Sequence, residues 1–207
     1  ILIQYARLRP TWDERLFAHY VESFSLPVRR RKTLGKLSTG QAAVFSGAIA
    51  LASGAPLTLL DEIQAPLDVP TRYALYEEIL ALAAEVMEGK RAPRRFLISS
   101  HMVSELEKVA EDVIVLKKSE LLAHESVDDF TARVTSVTGH ASDVERFLGE
   151  RPALAVIASR ELGSTREIVV DLRGASITDA DLAAHSLSAA PCSFQDAFAY
   201  LIQENDQ

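Results

Sequence analysis

Apolar residues in the first 124 positions alternate between helical spacing and short continuous runs. Helical spacing predicts helices over residues 1–26, 40–53, 71–88 and 102–110. Apolar runs of strand length predict strands over residues 57–61, 94–100 and 112–118. Within the first helical segment, Thr11 followed by Glu14 fits a capping box, and Pro27 ends the segment. Buried strands that alternate with helices predict an α/β fold with a mostly parallel sheet, covered on both faces.

The pattern changes after about residue 125. Half-exposed alternation and short apolar runs predict strands over residues 133–138, 153–158 and 167–172. Helical spacing predicts helices over residues 142–148, 178–185 and 193–203. We therefore expect two domains, residues 1–124 and a small C-terminal α/β appendage formed by residues 125–207.

A run of 24 uncharged residues from Leu37 to Leu60 has the length of a membrane span. The turn at Gly54-Ala55-Pro56 divides it into an alanine-rich helix and a short strand, which argues against a span. The chain is 48% hydrophobic and 25% charged, values that exclude a disordered chain. One cysteine, Cys192, excludes an internal disulfide framework.

Charge is distributed unevenly along the chain. The net charge of −7 combines +5 over residues 1–36, −4 over residues 37–124 and −8 over residues 125–207. The basic run Arg29–Lys32 is compatible with nucleic-acid binding or with a solvated loop. Because the acidic remainder would repel a phosphate backbone, we expect no nucleic-acid partner.

Three segments carry candidate chemistry. Ser38-Thr39-Gly40-Gln41 precedes the alanine-rich helix, where backbone N–H groups form either an anion site or a plain helix cap. Asp61 and Glu62 stand at the end of an apolar strand. Their carboxylates could bind a hard cation and deprotonate a water molecule, or they could belong to an acidic surface turn. His101 follows the next strand, where it can donate to a phosphate oxygen or serve a structural role.

The order of these segments resembles that of the ATP-binding subunits of ABC transporters, in particular bacterial exporter-type subunits. Residues 38–41 resemble the signature motif, and Leu57–Glu62 resembles the Walker B strand with its catalytic glutamate. Ala65–Asp68 resembles the D-loop, and Ser100-His101 resembles the switch histidine. Residues 193–198 resemble the closing helix of many exporter-type subunits. The resemblance therefore covers most of residues 1–124 and returns at the C-terminus.

The chain departs from the family pattern at several positions. Thr39 replaces the first glycine of the signature pair, and Ile63-Gln64 stands where Pro-Thr or Pro-Ser is common. Lys118–Glu120 stands where a glycine turn is usual. No Gly-x-x-x-x-Gly-Lys-[Ser/Thr] P-loop occurs in the 207 residues. Since the family carries the P-loop upstream of the signature, we expect it in an N-terminal segment that this chain lacks.

The resemblance implies a partial P-loop NTPase core. Residues 1–55 would form the helical signature subdomain, and residues 56–124 the core from Walker B to the switch histidine. It implies that Asp61 binds Mg²⁺, that Glu62 is the general base, and that His101 contacts the γ-phosphate of ATP. It further implies that ATP held by a partner subunit is contacted by the signature residues Ser38, Thr39, Gly40 and Gln41. Asp68 would lie across the same dimer interface.

The resemblance also implies partners and a location. ATP would hold a homo- or heterodimer of ATPase subunits head to tail, and membrane-spanning transporter subunits would dock on residues 1–36. The protein would then lie in the cytoplasm, peripheral to the cell membrane. Without a P-loop, we expect the chain alone to neither bind ATP usefully nor hydrolyse it, and exposed apolar edges to promote its association.

The sequence is also compatible with two other functions. The chain could be a non-catalytic regulatory or interaction protein derived from an ABC ATPase, with residues 125–207 as its working part. It could instead belong to an ABC-type ATPase that acts away from membranes, in translation or DNA repair. The long coiled-coil insertions or second cassettes common in that class do not occur in the sequence.

Overall fold

The computed structural model describes residue 6, residues 8–27 and residues 34–204. These divide into two compact units, Ile1–His101 and Met102–Gln207. Helices and strands occur in both units, which confirms the predicted mixed α/β class. The division at His101 comes before the domain boundary expected near residue 124, and that boundary stays a prediction.

The first unit contains three α-helices and two strands among its described residues. In chain order they are α1 (Glu14–Ser23), α2 (Thr39–Ala52), β1 (Leu57–Asp61), α3 (Val69–Met87) and β2 (Arg95–Ser99). A single 3₁₀ turn, Leu34–Lys36, precedes α2. Residues 1–5, residue 7 and residues 28–33 lie outside the described part of the chain, so the expected helix is tested only in part over residues 1–26.

Helix α1 begins later than the capping box predicted at Thr11. Asp13 is its N-cap and accepts a hydrogen bond from the Leu16 N–H at 2.9 Å. Thr11 instead donates its hydroxyl to the Ser53 carbonyl at 2.7 Å, and the Glu14 carboxylate accepts from the Trp12 indole at 2.7 Å. The predicted capping box at Thr11 is therefore wrong, because both of its side chains are used in other contacts.

The two strands of the first unit form a parallel pair, β1 beside β2. Thr58 and Leu60 of β1 are buried, whereas Leu57 and Leu59 are exposed. Leu97 of β2 is exposed as well. The predicted parallel pairing is confirmed for these two strands, but the third predicted strand, residues 112–118, pairs antiparallel. The expectation that both faces are covered is wrong for the described residues, since this pair has an uncovered apolar face.

The second unit holds the remaining elements. They are α4 (Val103–Leu106), β3 (Asp112–Lys117), β4 (Glu120–Ser126), α5 (Val127–Ala132), β5 (Val134–His140), α6 (Ala141–Gly149), β6 (Ala155–Leu162), β7 (Thr165–Asp171), α7 (Asp179–Ala184), β8 (Ser188–Pro191) and α8 (Phe194–Glu204). The helix predicted over residues 102–110 is thus only four residues long. The pattern of apolar positions did not indicate β4, α5 or β8.

Strands β5 to β8 form an antiparallel sheet in the order β6-β7-β5-β8. With α6 after β5 and α7 after β7, this is the βαββαβ arrangement of ferredoxin-like folds. Ile168 and Val170 pack in one hydrophobic core with Phe147, while Val169 between them packs in a second core with Phe194. Both faces of the sheet are therefore covered, as alternating side chains in a strand allow.

Strands β3 and β4 form a separate antiparallel hairpin. Val115 and Ala123 are directly opposite each other and belong to the core that contains Phe194. Ile114, Leu116 and Leu121 are exposed. No helix among the described residues is long and apolar enough to cross a membrane.

Candidate functional site

Two parallel strands carry candidate catalytic side chains to one edge of the sheet. Strands β1 and β2 pair in register through Asp61 and Ser99, so their carboxyl ends coincide. Glu62 follows β1 directly, and His101 comes two residues after the end of β2. Open α/β sheets bind ligands at such an edge. The structure brings Asp61, Glu62 and His101 together there, and their chemical roles stay predictions.

Glu62 and His101 form the closest contact of this edge. The imidazole Nδ1 of His101 lies 2.8 Å from the carboxylate Oε2 of Glu62. Because a carboxylate only accepts hydrogen bonds, Nδ1 carries the proton and donates. The side chains are 71% and 40% exposed, respectively, so water reaches both groups. The edge thus presents a carboxylate and an imidazole that are held together and open to a ligand.

The backbone of Glu62 has an unusual conformation. Its φ angle is 48°, in the left-handed region, where a residue with a side chain costs on the order of 1 to 3 kcal/mol. Its N–H donates to the Ser99 hydroxyl at 3.0 Å, and its carbonyl accepts from the Ala65 N–H at 3.1 Å. These two hydrogen bonds stabilise the conformation that directs the Glu62 side chain toward His101.

Asp61 has the chemistry of a magnesium ligand but does not form a metal centre alone. Its exposed carboxylate accepts a hydrogen bond from the Ser99 hydroxyl at 2.5 Å. Within the described ranges, no group of three or more His, Cys, Asp or Glu side chains could hold a metal ion. Mg²⁺ typically takes one or two carboxylates and completes its shell with phosphate oxygens and water. Asp61 therefore fits a Mg²⁺ ion that arrives with a phosphate ligand.

The signature-like segment forms the start of α2, as predicted. Ser38 is the N-cap, and its side chain accepts from the Gln41 N–H at 3.2 Å. The Gln41 side chain accepts in return from the Ser38 N–H at 3.2 Å, which completes a capping box. This box uses two of the backbone donors at the helix start. Thr39 and Gly40 contribute the first N–H groups of the helix, which an anion could contact.

The segment between Glu62 and Asp68 packs against α2. A Cβ added to Gly47 would lie 2.7 Å from the Ile63 Cδ1, and one added to Gly40 would lie 3.1 Å from the Pro66 carbonyl oxygen. The absence of side chains at these two glycines thus allows close approach of the segment that resembles the D-loop. The signature-like helix and that segment are therefore directly connected within one chain.

Asp68 is the N-cap of α3. Its carboxylate accepts from the Thr71 N–H at 2.9 Å. Hydrogen bonds from the Thr71 side chain and backbone lower the pKa of Asp68 from its usual value. Asp68 therefore stays ionised at neutral pH and caps α3 in its own subunit. Its contact with a partner subunit stays a separate prediction.

Two residues of the edge were not singled out by the sequence. Ser99 contacts both Asp61 and the backbone of Glu62. Gln64 is fully buried and donates from Nε2 to the Ser99 carbonyl at 3.0 Å. The departure from Pro-Thr or Pro-Ser at Ile63-Gln64 was the available signal for Gln64. The serine that ends the strand before Ser100-His101 was the signal for Ser99.

Similarity to known proteins covers only part of the chain. No family model matches it. It is 31% identical over 100 residues to an uncharacterized ABC transporter ATP-binding protein of Nostoc sp.. That stretch is 48% of this chain and only 28% of the relative, so the chain spans less than a third of the relative's length.

Parts of the chain also match solved structures. One is the ATP-binding subunit of an ABC transporter, with 22% identity, a TM-score of 0.49, and coverage of 56% of this chain and 46% of that chain. Another is described as a cobalt transport ATP-binding protein, with 19% identity, a TM-score of 0.45, and coverage of 77% and 53%. The sequence relative confirms the resemblance to ABC transporter ATP-binding proteins that the motifs indicate.

Proposed function

We propose that this chain is part of the ATP-binding and ATP-hydrolysing subunit of an ABC transporter. The observation that carries the proposal is the 2.8 Å contact between Glu62 and His101, directly beside Asp61, at the carboxyl edge of two parallel strands. The ordered motifs and the relative that is 31% identical support the same assignment.

Glu62 would act as the general base of hydrolysis. A carboxylate of this kind accepts a proton from the water that attacks the γ-phosphate. His101 donates from Nδ1 to Glu62, so it orients the carboxylate and leaves Nε2 directed to a different partner. In this arrangement, Nε2 would be the ring atom that contacts the γ-phosphate. Both side chains are exposed enough for a nucleotide to reach them.

Asp61 would hold Mg²⁺, directly or through water. A bound Mg²⁺ ion would neutralise negative charge on the phosphate oxygens. Ser99 donates to one carboxylate oxygen of Asp61 and thereby fixes the orientation of the carboxylate.

The start of α2 would serve a second subunit. Ser38 and the backbone N–H groups of Thr39 and Gly40 would approach ATP bound by that partner, while Gln41 keeps the helix start capped. Asp68 would lie at the same interface. ATP would then join two subunits head to tail, and loss of the γ-phosphate would release them.

The movement of the dimer would be transmitted to membrane-spanning transporter subunits, with residues 1–36 as their docking region. The subunit would work in the cytoplasm, at the inner face of the cell membrane. Within the proposal, the chain by itself is inactive, because its sequence holds no P-loop to cradle the phosphates.

The test compares the 207-residue chain with the intact gene product that contains it. We expect the chain alone to bind ATP more weakly than about 1 mM and to hydrolyse none. We expect the intact product to hydrolyse ATP, and Glu62→Gln to lower kcat by about 10²- to 10⁴-fold. Glu77→Gln, at an exposed position on α3, is the matched control and should leave kcat unchanged.

A folded gene product without ATPase activity would overturn the proposal. It would favour the alternative, a non-catalytic regulatory or interaction protein derived from an ABC ATPase. The ferredoxin-like sheet of residues 134–191 gives that alternative a specific basis, because it has its own hydrophobic core.

A further inference from the structure

We propose that Ser99 and Gln64 are positioning residues, which hold the Glu62–His101 pair at the edge of the β1–β2 sheet. The inference rests on the proposed function for its effect on turnover, but the contact geometry can be tested without it. Neither side chain is expected to touch the reacting atoms.

Ser99 connects the ends of the two strands through its side chain. It lies opposite Asp61 in the register, where its hydroxyl donates to Asp61 Oδ1 at 2.5 Å. The hydroxyl oxygen of Ser99 also accepts a hydrogen bond from the Glu62 N–H at 3.0 Å. A hydroxyl can donate once and accept twice, so both bonds form together. Ser99 therefore continues the pairing one residue past the end of β1.

Gln64 fixes Ser99 from the buried side. Its side chain has no exposed surface, and Nε2 donates to the Ser99 carbonyl at 3.0 Å. A buried amide is costly unless it is hydrogen-bonded, and this contact satisfies Nε2, whereas Oε1 is buried without a hydrogen-bond partner among the described residues. The carbonyl and the hydroxyl of Ser99 are thus both bound to the segment from Asp61 to Gln64.

These contacts determine where the Glu62 side chain points. Glu62 has a φ angle of 48°, and Ser99 accepts its N–H in that conformation. His101 lies two residues after Ser99, so fixing Ser99 also fixes the start of the segment that bears the imidazole. Exposed ion pairs are weakly stabilising by themselves. The Glu62–His101 contact is therefore held by the backbone positions that Ser99 and Gln64 set.

The contact is tested first by NMR on the 207-residue chain. The wild-type chain should show an NMR signal from a protonated, hydrogen-bonded Nδ1 of His101. The signal is assigned by its loss in His101→Asn. In Ser99→Ala, and in Gln64→Met, which keeps the side-chain length but removes the donor, we expect that signal to be lost. Ser99→Thr retains the hydroxyl and should restore it. His19 and His185, which have other partners, are internal controls.

The effect on turnover is tested in the intact gene product. Ser99→Ala should lower kcat by about ten- to a hundred-fold and change KM for ATP by less than about twofold. This pattern is expected when a catalytic group is misplaced while substrate binding is kept. Ser99→Thr should recover most of the kcat. Ser99 is exposed, so Ser99→Ala is expected to fold even if the buried Gln64 does not tolerate replacement.

The two measurements separate the inference from the function. An unchanged His101 signal in Ser99→Ala overturns the positioning role, whether or not the gene product is an ATPase. A lost signal that Ser99→Thr restores supports the role, even if the gene product proves inactive and the proposed function fails. A fall in kcat that Ser99→Thr does not reverse also overturns it.

Discussion

Gly54 lies directly against the carbonyl group of Thr11. A Cβ added at Gly54 would be 2.3 Å from that carbonyl oxygen, and the φ angle of Gly54 is +62°. The Thr11 hydroxyl donates to the Ser53 carbonyl at 2.7 Å. The turn after α2 is thus closely packed against the residues that precede α1.

Gly54→Ala should therefore destabilise the first unit strongly. The substitution combines left-handed backbone strain with a clash that only a backbone shift can relieve, so we expect a loss of about 2 to 4 kcal/mol in the free energy of unfolding. Urea denaturation monitored by the fluorescence of Trp12 measures it.

Gly89→Ala is the matched control for Gly54→Ala. Gly89 also has a positive φ angle, +71°, but a Cβ there would have no heavy atom within 4 Å. We expect a loss of about 1 kcal/mol, from backbone strain alone. Equal losses for the two variants would contradict the importance of the contact with Thr11.

The Asp13–Arg91 ion pair should make the stability of the first unit pH-dependent. The guanidinium Nη1 of Arg91 lies 2.9 Å from Asp13 Oδ2. Burial by itself would raise the pKa of Asp13, but hydrogen bonds from the Leu16 N–H and from Arg91 outweigh it and hold the pKa below its usual value. A lowered folded-state pKa adds stability above the unfolded pKa, and that stability is lost as the pH falls through the folded value.

Asp13→Asn isolates this charge, because asparagine also caps a helix. At pH 7 we expect a loss of about 0.5 to 1 kcal/mol in the free energy of unfolding, which disappears as the pH falls below the usual range of aspartate. Urea denaturation at pH 7, 5 and 3 measures the difference. Glu88→Gln, which removes an exposed ion pair with Lys90, should have a smaller effect at every pH. A loss for Asp13→Asn that is constant over the whole pH range would contradict the assignment to charge.

The spacing of apolar residues correctly predicted those helices and strands that are determined by their own sequence. The bounds predicted for α2 and β1 agree with the structure within one residue, because an alanine-rich helix and an apolar run carry their own signals. The start of α1 was wrong because Thr11 bonds to Ser53, 42 residues away. Strand β8 was missed because its four residues are exposed and show no apolar run.

In the candidate site, too, the sequence indicated some residues and missed those whose role depends on contacts between distant parts of the chain. Motif order indicated Asp61, Glu62 and His101, and the parallel pairing of the strands explains why they lie together. Ser99 and Gln64 were missed, since their roles depend on contacts across 35 to 38 positions of sequence. A single sequence does not show which serine at a strand end faces the neighbouring strand.

Tyr20→Phe should leave the stability of the first unit unchanged or increase it. The hydroxyl of Tyr20 is fully buried and has no hydrogen-bond partner among the described residues. Burial, with a contribution from Glu78, raises the pKa of Tyr20 well above its usual value, so the group is a neutral phenol. Removing a buried hydroxyl without a partner should change the free energy of unfolding by about 0 to +1 kcal/mol.

Tyr20→Ala, which removes the ring as well, should cost about 3 to 5 kcal/mol and serves as the comparison. Thermal and urea unfolding of both variants measure these effects. A loss above about 1 kcal/mol for Tyr20→Phe would show that the hydroxyl has a partner, such as a bound water molecule.

The uncovered face of the β1–β2 pair should promote association of the chain when it is isolated. Leu57, Leu59 and Leu97 are 55%, 63% and 49% exposed and lie on neighbouring strands. Contiguous exposed apolar surface promotes protein association, and a two-stranded sheet also has unpaired edges. Replacing all three leucines by threonine keeps β propensity while it removes most of the apolar surface. We expect the triple variant to sediment as a smaller species than the wild-type chain at the same concentration.

Leu162→Thr is the control for this experiment, because Leu162 is 73% exposed but lies on β6 in the second unit. It should leave sedimentation unchanged, since a single exposed leucine is ordinary for a protein surface. Because the three leucines are largely solvent-exposed in the isolated chain, the triple variant should also lose little thermal stability. Identical sedimentation of the wild-type chain and the triple variant would show that this face does not drive association, and the exposed Ile114, Leu116 and Leu121 of the β3–β4 hairpin would then be the next surface to replace.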